Sequence, residues 1–281
     1  MDIDVLGALD VRENGVSVAP TAPKPRQVLA LLALHADRVV PVGDLIEELW
    51  SGTPPRSART TLQTYVLQLR ELIATALAPA PGADAARPAP RTPKDLLATA
   101  PGGYLLTCAG GRSDVRDFEH LTGQGYRAMD AGDFAGASRT LHGALRLWTG
   151  DAFADVPAGP QLALEAARLH ESRLCALDQR IEADLRLGRH REVLAELTVL
   201  TSRHPTHENL HAQFMLALHH CGRRGEALAA YQRLHTTLER DSGMRPSPRL
   251  RRLQQSVLTA AGESLPAAAY TPPAARPAAV H

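Results

Sequence analysis

Apolar and polar residues alternate through the opening IDVLGALDVRENGVSV, on both sides of Asn14-Gly15. A period of two suits a half-buried strand, and Asn-Gly accepts the positive φ angles of a tight turn, so strands joined by a hairpin are predicted first. Pro25 then suits the first turn of a helix, where its missing N–H would be unpaired anyway, and Gln27 to His35 is almost continuously apolar. That helix is predicted to be buried. Leu45, Ile46, Leu49 and Trp50 form a stripe with Asp44, Glu47 and Glu48 outside it, and Ser51-Gly52-Thr53-Pro54-Pro55 ends this short second helix. A third helix begins near Ser57, with Leu62, Val66, Leu69 and Ile73 on one face at the 3.6-residue period. Its opposite face carries Thr60, Gln63, Thr64, Leu67 and Gln68.

Residues 79–93 hold five prolines among small residues, a density that neither helix nor sheet tolerates, so a flexible loop is expected there. LLATAPGGYLL follows as two short apolar runs around Pro101-Gly102-Gly103, which predicts a second hairpin turning at the glycines. From Phe118 to about Ala261 the pattern is helical and repetitive. Gly188 and Gly222 stand 34 residues apart, in LGRHREVLAEL and CGRRGEALAAY, and the same spacing relates Val193 to Ala227 and Leu197 to Tyr231. This is the period of a tetratricopeptide repeat, with Pro205 near the repeat's usual end. Gly132, Ala137 and Leu141 keep the same offsets 56 residues before Gly188, so an extra segment of 22, including LWTGDAFADVP, is expected between the units. Residues 262–281, with seven alanines and four prolines, are expected to be a disordered tail.

The expected fold is therefore mainly α with a small β part. Residues 1–115 form a winged helix-turn-helix domain, and 116–261 a tetratricopeptide-like all-α repeat domain. The 281 residues, 44% of them apolar, are enough for two cored domains. No stretch of 18 uncharged apolar residues occurs and the N-terminus lacks a basic region, so neither membrane spanning nor secretion is expected, and the location is expected to be cytoplasmic. Cys108, Cys175 and Cys221 lie far apart and form no CxxC pair. His204, His207 and His211 have ligand-like spacing, but no carboxylate or cysteine completes a recognised metal pattern, and a solvated repeat surface is the expected setting. No P-loop, GxSxG or HExxH signature is present, so no enzyme, cofactor or metal is expected.

The net charge of +1 says little about nucleic acid, and acids and bases nearly balance within residues 1–115. A DNA-binding surface must be local. The third helix supplies one: between Arg56 and Arg70 there are three arginines, no acid, and a run of hydroxyl and amide side chains. Exposed helices ordinarily mix acids and bases, so a merely solvated face is the weaker reading. Gln pairs with the N6 and N7 edge of adenine, Thr can donate, accept or press its methyl on thymine, and Arg neutralises phosphate. Base reading is assigned to Gln63, Thr64 and Gln68. Backbone contacts are assigned mainly to Arg56, Arg59 and Arg70, with Lys24, Arg26, Thr60, Tyr65 and Tyr104 added.

KPRQVLALLALHADRVVPVGDLIEELW, PPRSARTTLQTYVLQLREL and PGGYLL, in that order, resemble the SARP family of antibiotic-pathway activators, whose DNA-binding domain is of the OmpR-type winged-helix class. WTGDAFADVP, LGRHREVLAELTVLTSRHPTHENLHAQFMLAL and GRRGEALAAYQRL resemble the bacterial transcriptional activator domain that follows in that family. The resemblance spans roughly residues 3–258. It implies head-to-tail binding, as a homodimer on DNA, to direct repeats in promoters of biosynthetic genes. Recruitment of RNA polymerase holoenzyme through its sigma and alpha subunits is implied with it. Repeats on one face of the duplex would lie about 10 to 11 base pairs apart. Where related winged helices carry an arginine after the Gly-Tyr of the hairpin, this chain has Leu105. A second expectation, of a different class, is an adaptor whose helical repeats bind a protein partner while the N-terminal domain binds DNA weakly or without specificity.

Overall fold

The computed structural model describes residues 1–78 and 91–259. Most of the loop expected over 79–93, and all of the tail expected over 262–281, lie outside them. Three short strands, β1 (Asp2–Asp4), β2 (Asp10–Glu13) and β3 (Val16–Ser17), make an antiparallel meander in which Ile3 faces Val11 and Arg12 faces Ser17. Asn14 and Gly15 both have positive φ, 50° and 79°, the signature of the type I′ turn that the Asn-Gly pair predicts.

Helix α1 (Pro23–Leu34) starts on Pro23, two residues before the proline expected to open it, and buries Val28 to Ala33 almost completely. Strand β4 (Val39–Pro41), which the apolar pattern did not announce, leads into α2 (Val42–Trp50). Helix α3 (Ala58–Leu77) follows, then α4 (Pro93–Leu96), where Thr92 and Asp95 form a capping box. Strands β5 (Leu97–Ala100) and β6 (Gly103–Leu106) form the second hairpin, and β4 adds to the far side of β6 in the order β4–β6–β5. A Cβ on Gly103 would lie 2.1 Å from the Val40 carbonyl oxygen, so only glycine permits that close pairing.

The remaining chain is helical: α5 (Asp114–Asp130), α6 (Phe134–Leu145), α7 (Pro160–Arg186), α8 (His190–Arg203), α9 (Glu208–His220), α10 (Arg224–Ser242) and α11 (Pro248–Thr259). Among the described residues, one compact unit comprises 1–78 and 91–121 with 143–173, and the other 122–142 with 174–259. This partition differs from the boundary expected near residue 115. Its cause is the segment around LWTGDAFADVP, read above as an insertion between repeats, which belongs with residues 1–121.

Backbone hydrogen bonds show how that segment is held in the first unit. Thr149, Phe153 and Ala154 donate to the carbonyls of Leu6, Val5 and Gly7, and Asp155 accepts from the Leu9 N–H at 2.7 Å. Trp148 meets Phe118 edge to face at 5.5 Å, with the Arg173 guanidinium 4.8 Å from its ring centroid. Glu48, 1% exposed, accepts from the Gln27 amide and from the N–H groups of Gly159, Gln161 and Leu162. A carboxylate on α2 thus satisfies the unpaired donors at the start of α7. Asp114, 3% exposed, accepts from the Val5 and Leu6 N–H groups at 2.7 Å each, and burial pushes its carboxyl up to about 6.

In the second unit the repeat spacing becomes a repeated turn. Gly132, Gly188 and Gly222 have φ of 76°, 79° and 76°. After each, the next N–H reaches back to a carbonyl five residues earlier: Asp133 to Ala128, Arg189 to Asp184, Arg223 to Leu218. The offset positions Ala137, Leu141, Val193, Leu197, Ala227 and Tyr231 are all buried. Helix α9 is buried from Leu210 to Leu218. His211 lies within that run, 5% exposed and pushed down to about 4 by burial, so it is not the solvated histidine expected. His207 caps the same helix by accepting from the Leu210 N–H. Among the described residues no helix is long and apolar enough to cross a membrane.

Candidate nucleic-acid interface

Helix α3 packs against α1 and α2 and buries Ala58, Leu62, Val66, Leu69, Ile73 and Ala76, one residue for each turn. The apolar stripe orients everything else. Arg59, Thr60, Gln63, Thr64, Leu67 and Gln68 emerge on the outward side, and all are exposed. From Arg59 to Gln68 the helix rises about 14 Å at about 1.5 Å per residue, close to the roughly 12 Å width of a major groove. Ser57 does not cap the helix and the first turn contains no acid, so the positive end of the helix dipole is open to a phosphate. Arg56, exposed in the preceding turn, adds a full positive charge there.

The three base-reading candidates therefore share one exposed face with Arg59 and Thr60. Thr64 has a restricted role: its hydroxyl already donates to the Thr60 carbonyl at 3.1 Å, leaving a methyl group and oxygen lone pairs for a ligand. Tyr65 is half-buried at the edge of the face. Arg70 turns away from it, donating through Nε to the Leu97 carbonyl at 3.0 Å and through Nη2 to Thr99 Oγ1 at 2.8 Å. It ties the helix to the first strand of the wing.

Three assignments meet structural competitors. Tyr104 is 7% exposed, packed in the core by the alternation of β6, and cannot reach a phosphate from there. Arg26 donates to the Leu9 and Pro20 carbonyls and to Asp155, with its side chain 16% exposed, so it fastens the 149–155 segment. Lys24 donates to the Leu49 carbonyl at the end of α2 and to Gln27. At the tip of the wing, Pro101 and Gly102 bring no cation. The exposed Lys94 sits on α4, which packs on α3, and is a positive charge near the helix that the sequence reading passed over, since a four-residue helix has no readable period.

Comparisons with known proteins match both parts of the chain to bacterial transcriptional regulators. The model of the family "Transcriptional regulatory protein, C terminal" matches residues 17–81, which contain α1, α2 and α3. That of the "Bacterial transcriptional activator domain" matches residues 113–258. Regulatory protein DnrI of Streptomyces peucetius is 50% identical over 275 residues, covering 96% of this chain and 98% of that protein. Regulatory protein AfsR of Streptomyces coelicolor is 36% identical over 91% of this chain but only 24% of its own length. Transcriptional regulatory protein EmbR of Mycobacterium tuberculosis is 36% identical over 92% of this chain and 63% of its own length. A solved structure of EmbR, in complex with a low-affinity phosphopeptide, superposes with a TM-score of 0.81 at 36% identity over 92% of this chain and 64% of that one.

Proposed function

We propose, from the premise that this chain belongs to the SARP family of bacterial transcriptional regulators, that it activates a secondary-metabolite gene cluster by reading direct repeats in promoters through α3. The observation that carries the reading is the exposed face of α3 from Arg59 to Gln68, which contains no acid. A winged helix held by its apolar stripe has this surface left for a duplex, and its amide and hydroxyl groups match base edges. Gln63, Thr64 and Gln68 read bases. Arg56, Arg59, Thr60 and Tyr65 position the phosphate backbone, and the helix N-terminus adds its dipole. Arg70 acts one step back, by holding the wing on the helix, while Lys24, Arg26 and Tyr104 leave the contact set.

Two protomers bind head to tail on adjacent repeats in the cytoplasm, and the complex recruits RNA polymerase holoenzyme through its sigma and alpha subunits. The likeness to DnrI, nearly full length on both sides, supports the antibiotic-pathway assignment. The helical second unit is read as tetratricopeptide-like from its shared turns and buried offset positions. Footprinting of the full chain on the promoters beside its own gene tests the proposal. Protected direct repeats about one helical turn apart are expected, with affinity falling steeply as salt rises. Gln63→Ala with Thr64→Ala should lose about 1–3 kcal/mol of discrimination at each base contacted while keeping non-specific binding. Unchanged selectivity in that variant would remove α3 from the reading role.

A further inference from the structure

Leu67 is 57% exposed in the middle of the face just described, one turn beyond Gln63 and Thr64 and next to Gln68. A scattered surface leucine is ordinary, but this one is ringed by the groups assigned to bases. Leucine offers no donor or acceptor, so the only base feature it can recognise in a major groove is an apolar one. The thymine 5-methyl group is the apolar mark that distinguishes the four base pairs there. Thr64 beside it is already back-bonded to Thr60, which leaves its own methyl available for the same purpose.

We infer, resting on the reading of α3 as the recognition helix, that Leu67 is a specificity-determining residue which contacts the 5-methyl group of a thymine in each repeat, with Thr64 as its apolar neighbour. The adjoining glutamines fit the same pair. Adenine presents N6 and N7 to a glutamine amide, and its thymine partner presents O4 and the methyl in the same groove. Glu71 follows Leu67 by four residues on the same side and is exposed. Its carboxylate ends the acid-free run and disfavours phosphate beyond that turn, so the apolar contact lies near the far limit of the part of α3 that reads DNA.

The test uses the full chain and the repeat it selects from a random duplex pool. Each thymine of that repeat is replaced in turn by uracil, which removes the methyl and leaves the hydrogen-bonding edge intact. For the unaltered protein, one thymine per repeat should cost about fourfold in affinity, the worth of one buried methyl, when replaced by uracil. Leu67→Ala should bind the thymine repeat several-fold more weakly and show no further loss on the uracil repeat. Thr64→Ser, which keeps the hydroxyl and removes the methyl, should reduce but not abolish the discrimination. Affinity indifferent to uracil at every position overturns the inference and leaves the proposed function standing, as does an undiminished uracil penalty in Leu67→Ala. If Leu67→Ala alters only the sedimentation of the free protein, the side chain serves self-association and the inference fails. If no repeat is selected at all, the reading of α3 itself falls.

Discussion

The two compact units are held together in different ways. In the first, buried carboxylates take backbone N–H groups from segments more than a hundred residues away: Glu48 from 159–162, Asp114 from Val5 and Leu6. In the second, the same glycine turn recurs at 132, 188 and 222, and small and large apolar positions at fixed offsets fill the core. Repetition solves the packing problem locally, so each turn carries its own instructions. A winged helix with an added segment has no repeat to copy, and depends on single polar residues that reach across sequence. Such a residue is costly to lose, because buried donors then go unpaired.

Replacing Glu48 by Ala should therefore produce the largest effect, a loss of about 3–5 kcal/mol measured by thermal or urea unfolding, since three backbone donors lose their acceptor at about 1–3 kcal/mol for each that stays dry, while the Gln27 amide keeps the Glu48 carbonyl. A loss below about 1 kcal/mol would show that water replaces the carboxylate and would weaken the contrast. Asp114 sharpens it through pH. Its folded pKa of about 6 lies above the 3.8 of an ordinary Asp, so folding favours the protonated form. Stability should fall as pH rises from about 4 to about 6 and stay level above, by at most about 3 kcal/mol. Asp114→Asn should flatten that part of the stability profile, and an unchanged slope would place the titration elsewhere. Gly188→Ala, at φ 79°, should cost about 1–2 kcal/mol, because the strain stays within one turn of the second unit. A loss as large as that of Glu48→Ala would mean that the repeated turns are not independent.

Legibility in the sequence follows the same division. The apolar stripe of α3, the Asn14-Gly15 turn and the offsets from Gly188 to Gly222 were readable because each is a periodic or local signal. Its outward face followed from the stripe, which is why Gln63, Thr64 and Gln68 emerge where expected. Arg26, Arg70 and Tyr104 were misplaced for the opposite reason. An arginine or tyrosine is equally suited to a phosphate and to a buried carbonyl or core site, and residue type does not choose between them. Strand β4 was missed because Val39–Pro41 has only three residues and owes its existence to the partner strand β6. Glu48 looked like part of a solvated helix face, and nothing local shows that residues 159–162 cover it.

What the amino-acid sequence determined by itself was most of the elements, the side of each helix that turns inward, and the acid-free stretch from Arg56 to Arg70. Helical and strand periods act over a few residues, where backbone geometry alone decides which side chains align. What only the tertiary structure decided was the company of the polar residues. Glu48 became the acceptor for the start of α7, Arg70 became the tie to the wing, and Arg26 became a clamp on Asp155. Those outcomes depend on which distant segment arrives beside each residue, and the burial of a charge or a hydrogen bond has no energy to express until that neighbour is in place.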